Sequence, residues 1–269
     1  MSEPVELLLG SPQGSILSPS LFLVLISDIE LYCPNAVLSG YADDTSCTIA
    51  VKNTEDLKEE CERNVDSLLK YMAINKLACN EDKTHILVIR HGQGNQEEFS
   101  FKIGGAEIKE SISEKLLGAW INNDLSWSKH LKKLEDELNY RLYKLRRIEQ
   151  VLPRSLLKQV ADAIFCSVLR YDLAIFCPIQ ILQTDPKPSC IQGIRVAYHN
   201  LLRLLCCTKR DSHTSIESML EKLGWLSINQ LACEIRLIEV WKALNEENHC
   251  HKSLFEMAHS NQGNTRSAG

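Results

Sequence analysis

The hydrophobic period of this chain changes near Ser126, and that change limits its fold more than any other feature. Before it, apolar residues come mostly in short β-prone runs between turn residues. After it, Leu131, Leu134, Leu138, Leu142, Leu145 and Ile148 recur at three- and four-residue spacing, and strand signals become sparse. A strand turns a new face every second residue and a helix every third or fourth, so one segment cannot satisfy both periods. The expected fold class is therefore α+β in the first half and all-α in the second, with the boundary near Trp127. At 269 residues the chain has length for one large domain or two ordinary ones.

In the first half, Ser18 suits an N-cap and Pro19 the first helical position, so "SPSLFLVLISDIELY" reads as a helix from Pro19. "AVLSGYA" and "TSCTIAV" flank Asp43 and Asp44 and read as a hairpin with the two acids at its tip. Thr54 caps an amphipathic helix with Leu57, Cys61, Val65, Leu68 and Met72 along one stripe. "THILVI", from Thr84 to Ile89, reads as a strand, "FSFKIGGAEIKE" as a hairpin about Gly104 and Gly105, and "KLLGAWI" as a further strand. In the second half a helix begins at Pro153 and runs to about Phe176, and "TDPKPS" is a loop. Helices follow around Ile194–Cys206, Ile216–Leu223 and Ile228–Leu244, the last capped by Ser227. The final "SNQGNTRSAG" carries too little apolar content to order itself.

Composition removes several function classes. Hydrophobic residues make up 44% and charged residues 24%, an ordinary globular balance. The net charge of -5 means that any nucleic acid must be held by a local basic surface. "MSEPVELLLG" has no basic lead, so the chain is expected to be intracellular with reduced thiols. The longest apolar run, "LFLVLI", is too short for a bilayer, and no membrane partner is expected. Most of the eleven cysteines are expected to act as small buried hydrophobes. His213, His249, Cys250 and His251 could bind metal, but zinc-ligand spacing is absent.

Two features point to phosphoryl chemistry. Adjacent aspartates at a hairpin tip are by themselves ordinary turn residues. On a rigid hairpin, however, Asp43 and Asp44 can present hard oxygens to Mg²⁺, and two such ions about 4 Å apart clamp the attacking and leaving oxygens of a displacement. Upstream, "GSPQGSILSP" places Gly10, Pro12 and Gly14 around Gln13 just before a helix N-terminus. Such a loop brings backbone N–H groups close to a ligand, and Gln13 offers both a donor and an acceptor. Lys83, before "THILVI", is a candidate phosphate-facing cation, though a lone lysine is more often simply solvated.

In this order and spacing, "PQGSILSPSLF", "YADD", "NEDKT" and "LLGAWINNDLSW" resemble the palm of reverse transcriptases of non-LTR (LINE-type, jockey-like) retrotransposons. "HLKKLEDELNYRLYKLRRI", "LPRSLLKQV" and "LGWLSINQLACEIRLIEVWKAL" resemble the segments that follow it, so the likeness extends from Gly10 to about Leu244. It implies a partial palm over 1–126, a helical thumb over 127–183, a helical post-thumb region over 184–258 and a disordered tail over 259–269. The resemblance also implies roles. Asp43 and Asp44 would be catalytic acids of a Mg²⁺ or Mn²⁺ site, Asp43 the more direct ligand. Tyr41 and Ala42 would form the floor under the primer end, and Gln13 and Gly14 would line the template and nucleotide pocket, with Pro12 and Ser15 setting the loop. Lys83 would stand near the leaving pyrophosphate as a catalytic proton donor, and Gly118 would let the primer backbone approach. The implied partners are an RNA template, a DNA primer and deoxynucleoside triphosphates.

Polymerases of this kind use a third carboxylate upstream of the Pro-Gln-Gly motif. Only nine residues precede Gly10, and their acids, Glu3 and Glu6, do not resemble that strand. Weak metal binding and little activity of the chain alone are expected. The helix from Lys129 to Gln150 carries seven Lys/Arg against four Asp/Glu. Its Arg141, Lys144, Arg146 and Arg147, with Tyr140 and Tyr143 among them, suit a nucleic-acid backbone. The alternatives are a solvated face with cations favourably placed near a helix C-terminus, or an interaction remnant whose apolar palm surface a protein partner covers.

Overall fold

The computed structural model describes residues 14–90, 98–103, 105–171, 173–177, 191–208 and 214–245. The chain divides into two compact units, Met1–Glu114 and Lys115–Gly269. The described residues are mixed, with antiparallel two-stranded sheets in the first half and helices dominating the second.

The first unit begins with helix α1 (Ser18–Ile26). Leu17, not Ser18, stands at its N-cap, while the Ser15 hydroxyl accepts from the Leu17 amide at 3.3 Å and Pro19 occupies the first turn. The expected single helix stops at Ile26, and a separate 3₁₀ turn (Ile29–Tyr32) follows. Strands β1 (Val37–Tyr41) and β2 (Asp44–Thr48) then form an antiparallel pair from Val37–Thr48 down to Tyr41–Asp44. Helix α2 (Thr54–Ile74) comes next. Leu57, Cys61, Val65 and, in place of the expected Leu68 and Met72, Leu69 pack on Val88, Phe99, Phe101, Ile103 and Ile108. The last three of these lie on β3 (Ser100–Ile103) and β4 (Ala106–Lys109), which pair antiparallel from Ser100–Lys109 to Ile103–Ala106, the expected hairpin.

Tyr71, fully buried near the end of α2, fixes this helix to the segment before it. Its hydroxyl donates to the Leu25 carbonyl at 2.7 Å and the Asp28 carboxylate at 2.8 Å, and its ring meets Tyr32 edge-on at 4.8 Å. "THILVI" does not form a strand of its own. Only Ile86 makes a bridge, to Glu110, and its carbonyl accepts from the Ser111 amide at 2.8 Å. An extended segment with a single bridge lacks the continuous ladder that defines a strand.

"KLLGAWI" is likewise not one strand but parts of two. Strands β5 (Ser113–Leu116) and β6 (Ala119–Asn122) pair about a two-residue turn, Leu117–Gly118. Helix α3 (Ser128–Ile148) follows and buries Leu131, Leu134, Leu138, Leu142 and Leu145, as its period requires. The run expected from Pro153 to Phe176 is broken. Helix α4 (Arg154–Ala161) passes through a π turn (Asp162–Cys166) into α5 (Ser167–Arg170), and α6 (Leu173–Phe176) starts after extended backbone at Tyr171. A π turn frees carbonyls from the helical ladder, and Arg141 donates to that of Ile164 at 2.5 Å.

Helix α7 (Gln192–Cys206) lies along α3, where Gly193 leaves room for the Glu135 carboxylate. Tyr198 on α7 donates to the Leu226 carbonyl at 2.7 Å and stacks on Trp225. The Ser215 hydroxyl caps α8 (Ile216–Leu223) by accepting from the Ser218 amide. Ser227 caps α9 (Ile228–Asn245) as expected: its hydroxyl accepts from the Gln230 amide, and Gln230 Oε1 accepts from the Ser227 amide at 2.9 Å. "TDPKPS", the final ten residues, His213, His249, Cys250 and His251 lie outside the described residues.

Candidate functional site

The two aspartates fall at the corner of a tight hairpin. Ala42 and Asp43 form the two-residue turn between β1 and β2, and Asp44 is the first residue of β2, paired with Tyr41. Of the two turn residues only Ala42 has a positive φ, +52°. This is the pattern of a II′ hairpin turn, in which glycine is the usual first central residue. An alanine there costs roughly 1–2 kcal/mol, because its Cβ crowds the following carbonyl. The result is a short, closed corner that presents Tyr41, Asp43 and Asp44 to solvent.

Behind the corner, Cys47 pairs with Leu38 in the ladder. Burial pushes its thiol up to about 11, and the neighbouring thiols of Cys33 and Cys61 push in the same direction. At neutral pH it is therefore a protonated, hydrophobic group rather than a metal ligand. Cys33, which is buried where Cys47 is only partly so, donates its thiol proton to the Asn64 carbonyl. Among the nine described cysteines, Cys33, Cys166, Cys177 and Cys206 are buried, Cys47, Cys61, Cys79 and Cys233 are partly buried and Cys207 is exposed, so fewer are core residues than composition suggested.

Of the loop before α1, Pro12 and Gln13 lie outside the described residues. Gly14 has φ +85°, and the space where a Cβ would stand is open, so backbone at this point is accessible to a ligand. Ser15 is engaged at the start of α1. Lys83 is exposed and ends a 3₁₀ turn (Glu81–Lys83) ahead of the extended segment.

The remaining candidates belong to the second unit. Leu117 (φ +47°) and Gly118 (φ +97°) both occupy the left-handed region, the arrangement of a type I′ turn. The space beside Gly118 is not open. A Cβ there would lie 3.1 Å from Cε1 of Tyr171, whose hydroxyl donates to the Leu117 carbonyl at 2.5 Å. On α3, the face opposite the buried leucines carries Lys129, Lys133, Tyr140, Tyr143, Lys144 and Arg147 at three- and four-residue spacing. This face extends about 27 Å at the helical rise of about 1.5 Å per residue. Lys129 Nζ sits 3.5 Å over the Trp120 ring and Lys144 Nζ 4.1 Å over Tyr140, while Arg147 donates to the Tyr143 hydroxyl at 3.0 Å. Asp136, the acid on this face, is paired with Lys132 at 3.1 Å. Arg146 is exposed to one side. Arg141 lies off the face, engaged by Glu137 at 2.6 Å and by the Ile164 carbonyl.

Residues 3–121, which contain the hairpin, Lys83 and Gly118, match the family model described as Reverse transcriptase (RNA-dependent DNA polymerase). This stretch belongs to the reverse transcriptase family. The chain is also similar to the RNA-directed DNA polymerase from mobile element jockey of Drosophila melanogaster, with 21% identity over 194 residues. That alignment covers 70% of this chain and 19% of the fly protein, so the chain spans about a fifth of the length of this relative. No solved structure matches. The kinship of this reverse transcriptase segment with non-LTR elements, read from the motifs, is thereby supported.

Reverse transcriptases depend generally on a divalent metal, and the hairpin corner suits one in donor chemistry. Mg²⁺ prefers oxygen, keeps several waters and is commonly held by one or two carboxylates together with substrate phosphates. Asp43 and Asp44 provide two exposed carboxylates on a short turn. Among the described residues no group of three or more His, Cys, Asp or Glu gathers to hold a metal.

The structure also brings forward residues that sequence reasoning passed over. Tyr71 could have been noticed as an aromatic on the apolar side of α2. Trp120 with Lys129, and Tyr171 with Leu117, join residues on different elements and leave no local signal.

Proposed function

We propose that this chain is the hairpin-bearing palm portion and the following helical thumb and post-thumb of an RNA-directed DNA polymerase. The observation that carries the reading is that the acids of "YADD" sit at a closed β-hairpin corner within residues matching the reverse transcriptase family. Asp43 and Asp44 would hold Mg²⁺ or Mn²⁺, which when bound offsets charge on the phosphates and activates the primer 3′-hydroxyl. Tyr41 and Ala42 set the carboxylates at the end of a rigid ladder rather than on a loose loop. Gly14, with Pro12, Gln13 and Ser15, would admit template and nucleotide beside α1, and Lys83 would face the pyrophosphate.

The outward face of α3 would hold the primer–template backbone. Tyr140 and Tyr143 are each associated with their own cation, so the face is suited to phosphates and sugars more than to stacking bases. Binding would then be independent of sequence and sensitive to salt.

Catalysis by the chain alone is expected to be negligible. Positioning and charge stabilisation supply almost all of the rate in phosphoryl transfer, and among the described residues the corner gathers two carboxylates rather than a group of three. A primer-extension assay with Mg²⁺ and with Mn²⁺ tests this. The expected result is extension no faster than that of Asp43→Asn, together with duplex binding that weakens as salt rises. Template-dependent extension abolished by Asp43→Asn would keep the polymerase reading and remove the claim of inactivity. A duplex affinity indifferent to salt would remove the role given to α3.

A second reading, a non-catalytic remnant bound by a protein partner, draws on α1. Helix α1 buries none of its residues, and Leu21, Leu23 and Val24 are each more than half exposed.

A further inference from the structure

The turn between β5 and β6 is made of residues that do not favour it. Type I′ turns need positive φ at both central positions and are normally built from Asn-Gly, Asp-Gly or Gly-Gly. Here the first position is Leu117, a bulky residue with φ +47°. Its left-handed conformation costs on the order of 1–2 kcal/mol, which an outside contact can offset.

An outside contact is present. Tyr171 stands where α5 has ended and the backbone is extended, with φ -63° and ψ 127°, so its side chain leaves the bundle rather than joining the helix face. It is 58% exposed and so is not a core residue. Its hydroxyl nevertheless reaches the carbonyl of Leu117 itself at 2.5 Å, and its ring covers Gly118 closely enough that a Cβ would crowd it at 3.1 Å. This explains Gly118 twice over: φ +97° disfavours any side chain, and the ring takes the space one would need.

We infer that Tyr171 is the positioning residue of the Leu117–Gly118 turn, and that the surface this turn offers to a nucleic-acid strand is formed jointly by the tyrosine ring and the turn. The second half of this inference rests on the reading of Gly118 as a primer contact. The first half stands on the geometry alone. The ligand class is the sugar–phosphate backbone near a primer end, which an aromatic edge and a backbone turn can meet without reading a base.

The test uses the full chain, Tyr171→Phe and Tyr171→Ala. In the unaltered protein an NOE between the Tyr171 ring and the Gly118 α protons is expected. Tyr171→Phe removes only the hydrogen bond, and amide exchange at Ala119, the buried residue after the turn, should speed up by about 2- to 10-fold, the effect of one modest hydrogen bond. Tyr171→Ala should speed it further, while the thermal midpoint of the helical unit moves little because the side chain lies outside the core. Both variants should also bind a primer–template duplex several-fold more weakly, with Phe between Ala and the unaltered chain. Unchanged exchange in Tyr171→Ala would overturn the positioning role. Faster exchange with unchanged duplex affinity would keep the positioning role and overturn the shared primer surface, and with it the reading of Gly118. A large fall in the thermal midpoint with Tyr171→Phe would mark the tyrosine as a stability residue and also overturn the inference.

Discussion

Replacing Tyr71 by phenylalanine removes one oxygen from the centre of the first unit and tests how α1 is held. The hydroxyl is shared between the Leu25 carbonyl at 2.7 Å and the Asp28 carboxylate at 2.8 Å, while the ring stays packed against Tyr32. A hydrogen bond to a charged group contributes roughly 1.5–3 kcal/mol. Leu25 and Asp28 are exposed and can recover water once the hydroxyl is gone, so the expected loss is about 1–2 kcal/mol. The same contact has a pH signature. Burial first, then the hydrogen bond and charge of Asp28, push the Tyr71 hydroxyl up to about 12 from its ordinary 10. Between these values the unfolded chain has released a proton that the folded chain keeps, so stability falls as pH rises through the window; below pH 10 the contribution is fully present. Chemical unfolding of both proteins at pH 7 and at steps from pH 9.5 to 11.5 measures the two effects together. The difference between them should be about 1–2 kcal/mol at pH 7 and should shrink across the alkaline window. A difference under about 0.5 kcal/mol at pH 7, or one that does not change with pH, would refute the account of how α1 is anchored.

Two further substitutions separate conformation from binding. Ala42→Gly relieves the positive φ at the hairpin corner and should stabilise the first unit by about 0.5–1 kcal/mol, after allowing for the greater chain entropy of glycine; a loss of stability in thermal unfolding would contradict the turn geometry. Lys144→Ala combined with Arg147→Ala should lower duplex affinity and reduce the slope of log K against log salt by about 2. Arg141→Ala should leave that slope unchanged and instead cost about 1–2 kcal/mol of stability, because its guanidinium serves Glu137 and the freed Ile164 carbonyl.

Much of this arrangement was legible in the sequence where the determining signals were local. The α3 leucines fix a helix because their spacing matches only one period, and Ser227 with Gln230 carries its capping box within four residues. The hairpin around Asp43 and Asp44 was readable from the apolar runs on either side, even though Ala42 is a poor turn residue. The Leu117–Gly118 turn was not, because leucine at positive φ contradicts the usual turn composition and the residue that supports it lies 54 positions away. The same distance effect hid the role of Arg141, which looks like one more cation on a basic helix until the π turn at Asp162–Cys166 supplies its partner. "THILVI" misled in the opposite direction: its β-branched composition suits a strand, but strand formation needs a continuous partner, and Ile86 makes an isolated bridge.

The central claim, that Asp43 and Asp44 are a metal-bearing pair at a polymerase hairpin, is tested most directly by Mn²⁺-induced broadening of amide signals. Titrating Mn²⁺ into the full chain should broaden first the amides from Tyr41 to Thr45, at concentrations well above those of a tight site, and the broadening should vanish in the Asp43→Asn, Asp44→Asn double variant. Broadening centred anywhere else, or persisting at the hairpin after both acids are gone, would contradict the account.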